Sequence, residues 1–424
     1  MRGYRGNIIF APVLGELVCL PQHTVVVEEN GKINGVYSSL PHHLEDIEIE
    51  DYGDKLIIPA FTDLHLHSSQ LPNRAMGYDG AFSQWLTQYT YPAERMYAKP
   101  EYAHKVNGML ISELIKNGIM RSVIMSSVSL ESTADLMEQF IQSGLSAYIG
   151  KMNSDLGAFG KANETTEASK RETLELIARY ANQNERVHYI LSPEFIPCCT
   201  DEMMVFLGEL ALSHKLPVQS HIAESPWDVG AVAARYPKDS VYAAVYRRFG
   251  LFGQMPTVMA HCLYNTDAEI GLMAEHHVYA AHCPVSNMNV PSGRQMPLRR
   301  FLESGIPVGL GSDVAGGHTL SMLQNMVAAV QISKQYAIEY PQFQPICVQE
   351  AFYLATKGGG SFFGKVGSFE PDYEFDALIV DDSTLDDLMP RTLSERLVRF
   401  IYRGDDRQIK KRFCGGREIP LPML

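Results

Sequence analysis

Short apolar runs alternate with stretches of helical periodicity through the middle of the chain. An apolar run bounded by turn residues is typical of a buried strand, and apolar residues three and four positions apart are typical of a helix face. The runs begin at Ile57, Met120, Ser146, Val187, Pro217, Thr257, Val278 and Ile306. The helical stretches are 103–117, 132–143, 166–182, 200–214, 228–236 or 240–249, 267–276 and 297–304. Strands that alternate with helices favour a parallel sheet, and eight such units predict an α/β fold, the (β/α)8 TIM barrel.

Both ends of the chain have a different pattern, of short strand-like runs and turns. The predicted strands are 7–11, 24–28 and 32–37 at one end and 377–380, 399–403 and 408–414 at the other. Glu29-Asn30-Gly31 is a hairpin signal between two of them. Each end is too small for a secure core, so we expect the two to pair with each other. The predicted division therefore gives residues 1–56 and 372–424 to this terminal β element and residues 57–371 to the barrel.

A doubly wound open sheet is the alternative to the barrel. That fold often carries a Gly-x-Gly-x-x-Gly fingerprint after its first strand, and the chain has neither this motif nor a phosphate loop. The barrel is therefore favoured, and this fold predicts the location of an active site. Active sites of barrels lie at the carboxyl ends of the strands.

Composition and charge limit the partners. A formal charge of −13 over 424 residues argues against nucleic acid and anionic membranes, which both attract basic surfaces. No apolar run reaches the roughly 18 residues that span a bilayer. The seven cysteines are scattered and contain no Cys-x-x-Cys pair. We therefore expect reduced thiols and a cytoplasmic location.

Four of the predicted strands end in histidine or aspartate. His65 and His67 close the first strand, and positions two apart share one face of a strand. His221 and His261 close the fifth and sixth strands, and Asp313 closes the eighth. One such residue alone is often a structural histidine or a helix cap. Their shared placement at one barrel face predicts a common site.

Imidazoles and a carboxylate together suit a divalent ion of borderline softness, zinc or Fe(II). Such an ion lowers the pKa of bound water towards about 7 and supplies hydroxide at neutral pH. Glu224 follows the fifth strand by a short loop. It is placed to take the proton of that water and pass it to a substrate.

These segments resemble the amidohydrolase superfamily and, within it, the guanine deaminase branch. The metal-type residues are shared by the whole superfamily, whereas the stretch Trp85–Glu94 is similar to that branch alone. The resemblance runs from the first strand to Pro371. The matching segments are 65–70, 85–94, 219–224, 259–262, 281–287 and 309–317.

The resemblance implies hydrolytic deamination of guanine to xanthine and ammonia, a step of purine metabolism, by a homodimer. It also implies that the two chain ends, 1–56 and 372–424, form a small β-sandwich domain. It implies that one zinc is held by His65, His67, His221 and Asp313. By the same likeness His261 orients the water, Glu224 shuttles protons, and Asp313 helps to deprotonate the water. The fourth strand has no terminal lysine of the kind that bridges two metals in many relatives, so a mononuclear site is favoured.

Substrate contacts follow from the same likeness. Gln70 and Phe195 match positions that contact the purine, and we add Trp85 and Glu194 as substrate-facing residues. The family usually has arginine where this chain has Glu194, so a donor to the purine carbonyl becomes an acceptor. An unmet buried polar group costs about 1–3 kcal/mol. Either another donor serves the carbonyl, or the substrate is a related heterocycle such as a pterin, 8-oxoguanine or diaminopurine.

Other protein classes fit the same residues less well. A cytidine-deaminase site needs His-x-Glu with Pro-Cys-x-x-Cys, and Pro197-Cys198-Cys199 lacks that spacing. A ring-opening amidohydrolase stays open, because the metal residues are common to it. A scaffold that lost its chemistry is disfavoured, since every ligand is present. The insertion 73–97 is interpreted as a lid or a dimer contact, His282 as a packing residue, and Lys151 and Asp155 as pocket or structural residues.

Overall fold

Eight parallel strands form a closed barrel in the middle of the chain. The computed structural model describes residues 1–97, 99–158, 162–181, 183–239, 241–290, 293–385 and 388–421. The elements before the barrel are the strands β1 Arg2–Phe10, β2 Val18–Val27, β3 Ile33–Tyr37 and β4 Glu48–Pro59. The first half of the barrel contains β5 Phe61–His67, α1 Phe82–Trp85, α2 Tyr91–Met96, α3 Pro100–Lys116, β6 Ile119–Met125, α4 Leu130–Ser143, β7 Ser146–Gly150, β8 Met152–Asn153, α5 Thr166–Tyr180, β9 Val187–Tyr189, β10 Ser192–Pro193 and α6 Asp201–His214.

The second half continues the same alternation and leads into the end of the chain. It contains β11 Val218–Ile222, α7 Pro226–Arg235, α8 Tyr242–Arg248, β12 Thr257–His261, α9 Asp267–Glu275, β13 Tyr279–His282, α10 Pro284–Asn289, α11 Leu298–Glu303, β14 Val308–Leu310, α12 Met322–Glu339 and α13 Val348–Tyr353. The closing elements are β15 Ala377–Val380, α14 Leu393–Arg403, β16 Ile409–Cys414 and β17 Arg417–Glu418. No described helix is long and apolar enough to cross a membrane.

Hydrogen bonds join the barrel strands in sequence order. Parallel ladders run β5-β6-β7-β9 and β11-β12-β13-β14. A parallel bridge between Leu191 and Val218 connects the two halves. The ring closes where the Asp313 amide donates to the His65 carbonyl at 2.8 Å and the His67 amide donates to the Val314 carbonyl at 3.0 Å. The predicted alternation of strands and helices is therefore confirmed as a barrel, and the open sheet is excluded.

The first barrel strand begins later than the sequence pattern predicts. Ile57–Pro59 belongs to the end of β4, which pairs with β1 and β15 outside the barrel. The barrel strand β5 starts at Phe61, after Ala60. A single apolar run therefore forms both the end of β4 and the start of β5, which belong to different sheets. It is continuously apolar because both strands are buried on both faces there. The division at residues 56 and 57 stays a prediction, and β4 crosses it.

Both ends of the chain share one sheet. Its seven strands follow the order β17-β16-β15-β4-β1-β2-β3. The late strand β15 lies antiparallel to the early strand β4, with Ala377 opposite Pro59. The predicted pairing of the chain ends is confirmed as a continuous sheet, and its description as a β-sandwich stays a prediction.

The predicted strand at 399–403 is wrong, because these residues close the helix α14. Thr392 caps its N-terminus, accepting from the Glu395 amide while the Glu395 carboxylate accepts from Thr392. Leu397, Phe400 and Ile401 form the buried face at helical spacing. Two helical alternatives, 228–236 and 240–249, both form as α7 and α8. The predicted helix ends at Asn182 and Ser240 lie outside the described residues.

Candidate metal centre and catalytic site

The predicted strand-end residues meet at the carboxyl mouth of the barrel. His65 and His67 come from β5, His221 from β11 and His261 from β12, and Asp313 follows β14. All five side chains are buried, with exposures between 1% and 6%. His261 and Asp313 have positive φ angles of 71° and 46°. Such sparsely populated backbone conformations in non-glycine residues often occur at functional sites.

The ligand atoms of these residues form two overlapping groups, in each of which they lie within 4.8 Å of one another. One group is His65, His67 and Asp313, and the other is His65, His221 and His261. Nε2 of His65 and Nε2 of His67 lie 3.3 and 3.5 Å from Oδ1 of Asp313. Nε2 of His67 lies 3.1 Å from Nε2 of His221. Ligands that bind zinc at 2.0–2.1 Å in a tetrahedron lie about 3.3 Å from each other. The observed spacings therefore fit one ion.

The hydrogen bonds around the imidazoles also fit an ion. Nδ1 of His221 donates to the Glu194 carbonyl at 2.5 Å, so its Nε2 carries the lone pair and faces the centre. Nε2 of His65 is a buried polar atom with no hydrogen-bond partner among the described residues. Burial lowers the pKa of His67 to about 3, and that of His221 well below its usual value. Neutral imidazoles are the form that binds a metal.

Asp313 is held from two sides. Its Oδ1 faces His65 and His67, while Ser286 Oγ donates to its Oδ2 at 2.5 Å. Burial opposes its ionisation, but the close imidazoles of His65, His261 and His67 lower the pKa of Asp313 below its usual range. Gly316 leaves the space for this arrangement, because a Cβ there would lie 2.9 Å from Oδ2 of Asp313 and closer still to Ser286 Oγ.

Glu224 and His261 face each other beside this centre. Oε1 of Glu224 lies 3.6 Å from Nε2 of His261, whose Nδ1 donates to Asn287 Oδ1 at 3.0 Å. Asp228 holds the Glu224 backbone by accepting from its amide at 3.2 Å. Burial raises the pKa of Glu224 to about 7, which suits a group that accepts and releases a proton near neutral pH. Burial would lower the pKa of His261, but the carboxylates of Glu224 and Asp313 raise it.

An aromatic wall borders the centre, and we define it by the side chains that pack together there. They are Trp85, Leu86, Tyr91, Ala158, Phe195, Cys198 and Val290, with Tyr78, Phe82 and Trp227 packed against them. The Phe195 ring lies edge-on to the His221 ring, with centroids 6.1 Å apart. Flat, mostly apolar walls with a few polar atoms are typical of pockets for heterocyclic ligands.

The insertion that follows β5 closes over the same mouth. Trp85 and Tyr91 come from it, and the Tyr78 hydroxyl donates to the Ala315 carbonyl at 2.6 Å. Arg74 anchors the insertion by an ion pair with Glu113 of α3. The insertion therefore packs beside the mouth of the barrel, and its roles as a lid or as a dimer contact both stay predictions.

Gln70 and Glu194 are both held by hydrogen bonds. Gln70 Nε2 donates to Glu94 Oε1 at 3.0 Å, and Gln70 Oε1 accepts from the Ala315 amide at 3.4 Å. Ser154 Oγ donates to Glu194 Oε2 at 2.6 Å. Burial raises the pKa of Glu94 to about 8, and the Glu194 carboxylate adds to that rise. Burial also raises the pKa of Glu194.

Lys151 and Asp155 have structural partners. Lys151 is fully buried and pairs with Glu164, while Asp155 accepts from the Thr200 amide and hydroxyl at 2.8 and 2.6 Å. His282 is buried and belongs to neither group of side chains able to hold a metal among the described residues. Burial lowers the pKa of His282 to about 3.

Sequence reasoning missed several residues that hold the site. Ser286 and Asn287 lie directly after β13 and hold Asp313 and His261. Asp63 accepts from the Ser312 amide at 2.9 Å and ties β5 to the end of β14. The sequence could have indicated a role for Asp63, because a carboxylate within an apolar strand is unusual. It could not indicate roles for Glu94 and Tyr91, because the groups they contact become adjacent only in the folded chain.

Comparisons with known proteins agree with this geometry. The Amidohydrolase family model matches residues 56–419. The guanine deaminase of Dictyostelium discoideum is 32% identical over 98% of this chain and 97% of its own length. That of Homo sapiens is 30% identical over 98% and 96%. The crystal structure of guanine deaminase from C. acetobutylicum with bound guanine in the active site is 42% identical and covers 99% of both chains, with a TM-score of 0.95. By its family model and by these relatives, the chain belongs to the amidohydrolase family, in the group of the guanine deaminases.

Proposed function

We propose that this protein hydrolyses guanine to xanthine and ammonia. The observation that carries the proposal is the close approach of His65, His67, His221 and Asp313, whose neighbouring ligand atoms lie 3.1, 3.3 and 3.5 Å apart, near Glu224. The solved relative that holds guanine in its active site supports the choice of substrate.

The residues present fit one zinc ion, with Fe(II) as the alternative. His65, His67, His221 and Asp313 would hold it, since their spacings, neutral imidazoles and ionised carboxylate match a borderline divalent metal. A bound ion of this kind lowers the pKa of water from 15.7 to about 7 and so makes hydroxide available at neutral pH.

The chain's own groups would then move the protons. Water adds to the ring carbon that bears the amino group, and Glu224 transfers one water proton to the neighbouring ring nitrogen. His261, fixed by Asn287, keeps Nε2 towards the same space and orients the water. Asp313 helps to remove the proton from the water. The proton of the added hydroxyl then passes to the amino group, the carbon–nitrogen bond breaks, the hydroxyl becomes the new carbonyl, and ammonia leaves.

Substrate contacts complete the proposal. Phe195 and Trp85 supply flat apolar surface for the ring, and Gln70 presents an amide fixed by Glu94 and Ala315. Glu194 is a hydrogen-bond acceptor held by Ser154. A carboxylate at this position favours a ligand with an additional donor, so diaminopurine, a pterin and 8-oxoguanine are the substrates to compare with guanine.

The proposal includes features of the whole protein. We propose a cytoplasmic homodimer whose barrel spans 57–371 and whose β-sandwich is formed by the two segments 1–56 and 372–424. Gel filtration with light scattering tests the dimer, and cell fractionation tests the compartment.

Ammonia release from guanine and from the three other heterocycles tests the reaction. We expect turnover that is lost when the metal is chelated and restored by zinc. Glu224→Gln should lower kcat by at least about a hundredfold while metal content stays unchanged, because it removes only the proton carrier. Glu275→Gln, at an exposed glutamate near the end of α9, is the matched control. Full turnover in metal-free protein would contradict the mechanism, and turnover of only another heterocycle would contradict the substrate.

A further inference from the structure

Two hydrogen-bond donors in the aromatic wall are buried and unused. The hydroxyl of Tyr91 and the Nε1–H of Trp85 have no hydrogen-bond partner among the described residues. The side chains are only 8% and 6% exposed. A buried donor without a partner costs about 1–3 kcal/mol, and such groups in folded proteins are uncommon. An acceptor supplied by a ligand would remove that cost.

Both donors belong to the substrate side of the site. Tyr91 and Trp85 pack in the same cluster as Phe195, whose ring contacts that of His221. The carboxylates of Glu194, Glu94 and Glu224 all act on the Tyr91 hydroxyl. Burial first, and then these charges, raise the pKa of Tyr91 far above its usual value, so it remains an O–H donor at any physiological pH.

The nearby polar side chains are already engaged, whereas the two donors of the wall are not. Glu194 accepts from Ser154, and the amide of Gln70 donates one of its two hydrogens to Glu94. Guanine has one exocyclic carbonyl oxygen, which must receive a hydrogen bond when the ring is removed from water. The polar atoms of the wall and of the ligand are therefore complementary if Tyr91 faces that oxygen.

Building on the proposed function, we propose that Tyr91 is a specificity-determining residue whose hydroxyl donates a hydrogen bond to the carbonyl oxygen of guanine, with Nε1 of Trp85 as the neighbouring second donor. The pocket thus recognises a neutral carbonyl without a cationic side chain. It discriminates against purines that lack the carbonyl, because these leave the Tyr91 hydroxyl unpaired.

The experiment compares guanine with 2-aminopurine, which keeps the reacting amino group and lacks the carbonyl. The holoenzyme and Tyr91→Phe are assayed with each compound as a substrate, and with 2-aminopurine as a competitive inhibitor of guanine turnover. Tyr91→Phe should lower kcat/KM for guanine by about tenfold to a hundredfold. It should leave the kinetic constants for 2-aminopurine within about twofold, because that ligand never used the hydroxyl. Trp85→Phe should show the same selectivity with a smaller loss.

Tyr89→Phe is the matched control, since Tyr89 lies two residues away and is partly exposed. It should leave both compounds unaffected. Equal losses for both compounds in Tyr91→Phe, or no loss for either, would overturn the assignment of Tyr91 while guanine turnover by the unaltered protein upheld the function. Absence of guanine turnover in the unaltered holoenzyme would overturn the proposed function and this inference with it.

Discussion

Asp313 uses its two carboxylate oxygens in different directions. One oxygen faces two imidazoles of the metal set, and the other accepts from Ser286 and lies 3.8 Å from Nε2 of His261. The carboxylate therefore joins metal binding to water activation. Its position depends on the Ser286 hydroxyl and on the absence of a Cβ at Gly316, and neither residue carries a charge.

Gly316→Ala should disturb this carboxylate without replacing a proposed ligand. The added methyl group would overlap Ser286 Oγ and lie 2.9 Å from Asp313 Oδ2. We expect at least a tenfold loss of kcat/KM and weaker zinc retention during dialysis, since supporting contacts typically contribute about 10–100-fold. The measurements are initial rates and elemental analysis of the dialysed protein.

Gly230→Ala is the control for this substitution. Gly230 lies in α7, and a Cβ there would meet nothing within 4 Å. Activity and zinc content should stay unchanged, and stability should rise by about 0.5–1 kcal/mol because alanine is the better helix residue. Equal behaviour of the two alanine variants would show that the space at Gly316 is unimportant for Asp313.

At the scale of elements, the end of α3 is joined to the terminal sheet by a buried arginine. Arg412 of β16 is 1% exposed. Its guanidinium donates to the Ile115, Lys116 and Ile409 carbonyls at 2.6, 2.8 and 2.9 Å. The last carbonyls of a helix have no partner within the helix. Arg412 therefore supplies the C-terminal cap of α3 from a distant segment of the chain.

Arg412→Leu should destabilise the protein strongly. It leaves buried carbonyls without donors, and each such group costs about 1–3 kcal/mol. We expect a loss of about 3 kcal/mol in the free energy of unfolding, measured by urea denaturation. Lys411→Leu, at the adjacent residue, removes only surface ion pairs with Glu50 and Glu418 and should cost under about 1 kcal/mol. Similar losses in both variants would contradict the capping role.

Local patterns were sufficient for the barrel and for placing the proposed ligands at its mouth, because His65, His67, His221 and Asp313 all stand at or just after the ends of apolar runs. They failed where neighbours in space decide the outcome. Residues 399–403 have strand-like composition, yet the cap at Thr392 and a helical apolar face make them belong to α14. Ser286, Tyr91 and Arg412 contact groups far away in the chain, so no local window reveals their roles.

At the scale of the whole molecule, the barrel and the terminal sheet share one core. Ile58 and Leu378 of the sheet pack in the same buried cluster as Ile119 of the barrel. Arg121 of β6 also donates to Asp376 Oδ2 and to Glu374 Oε2, at 2.6 Å each, across the boundary. A continuous core with a buried ion pair across the join favours cooperative unfolding.

The metal-loaded protein should unfold in one transition. Its two tryptophans, Trp85 and Trp227, both lie in or against the aromatic wall, so fluorescence reports on the barrel mouth. Far-ultraviolet circular dichroism reports on every helix and strand. We expect coincident urea midpoints from the two signals. Separate midpoints would show that the mouth and the rest of the molecule unfold independently.

The pairing of β15 with β4 has a consequence for synthesis on the ribosome. β4 is complete at Pro59, but its neighbour begins only at Ala377. At about 5–20 residues per second, the hydrogen-bonding edge of β4 waits roughly 15–60 s for its partner. An open edge rich in isoleucine is a template for pairing with other chains. The nascent protein therefore needs shielding, by the ribosome surface or by a chaperone, until its last segment emerges and closes the sheet.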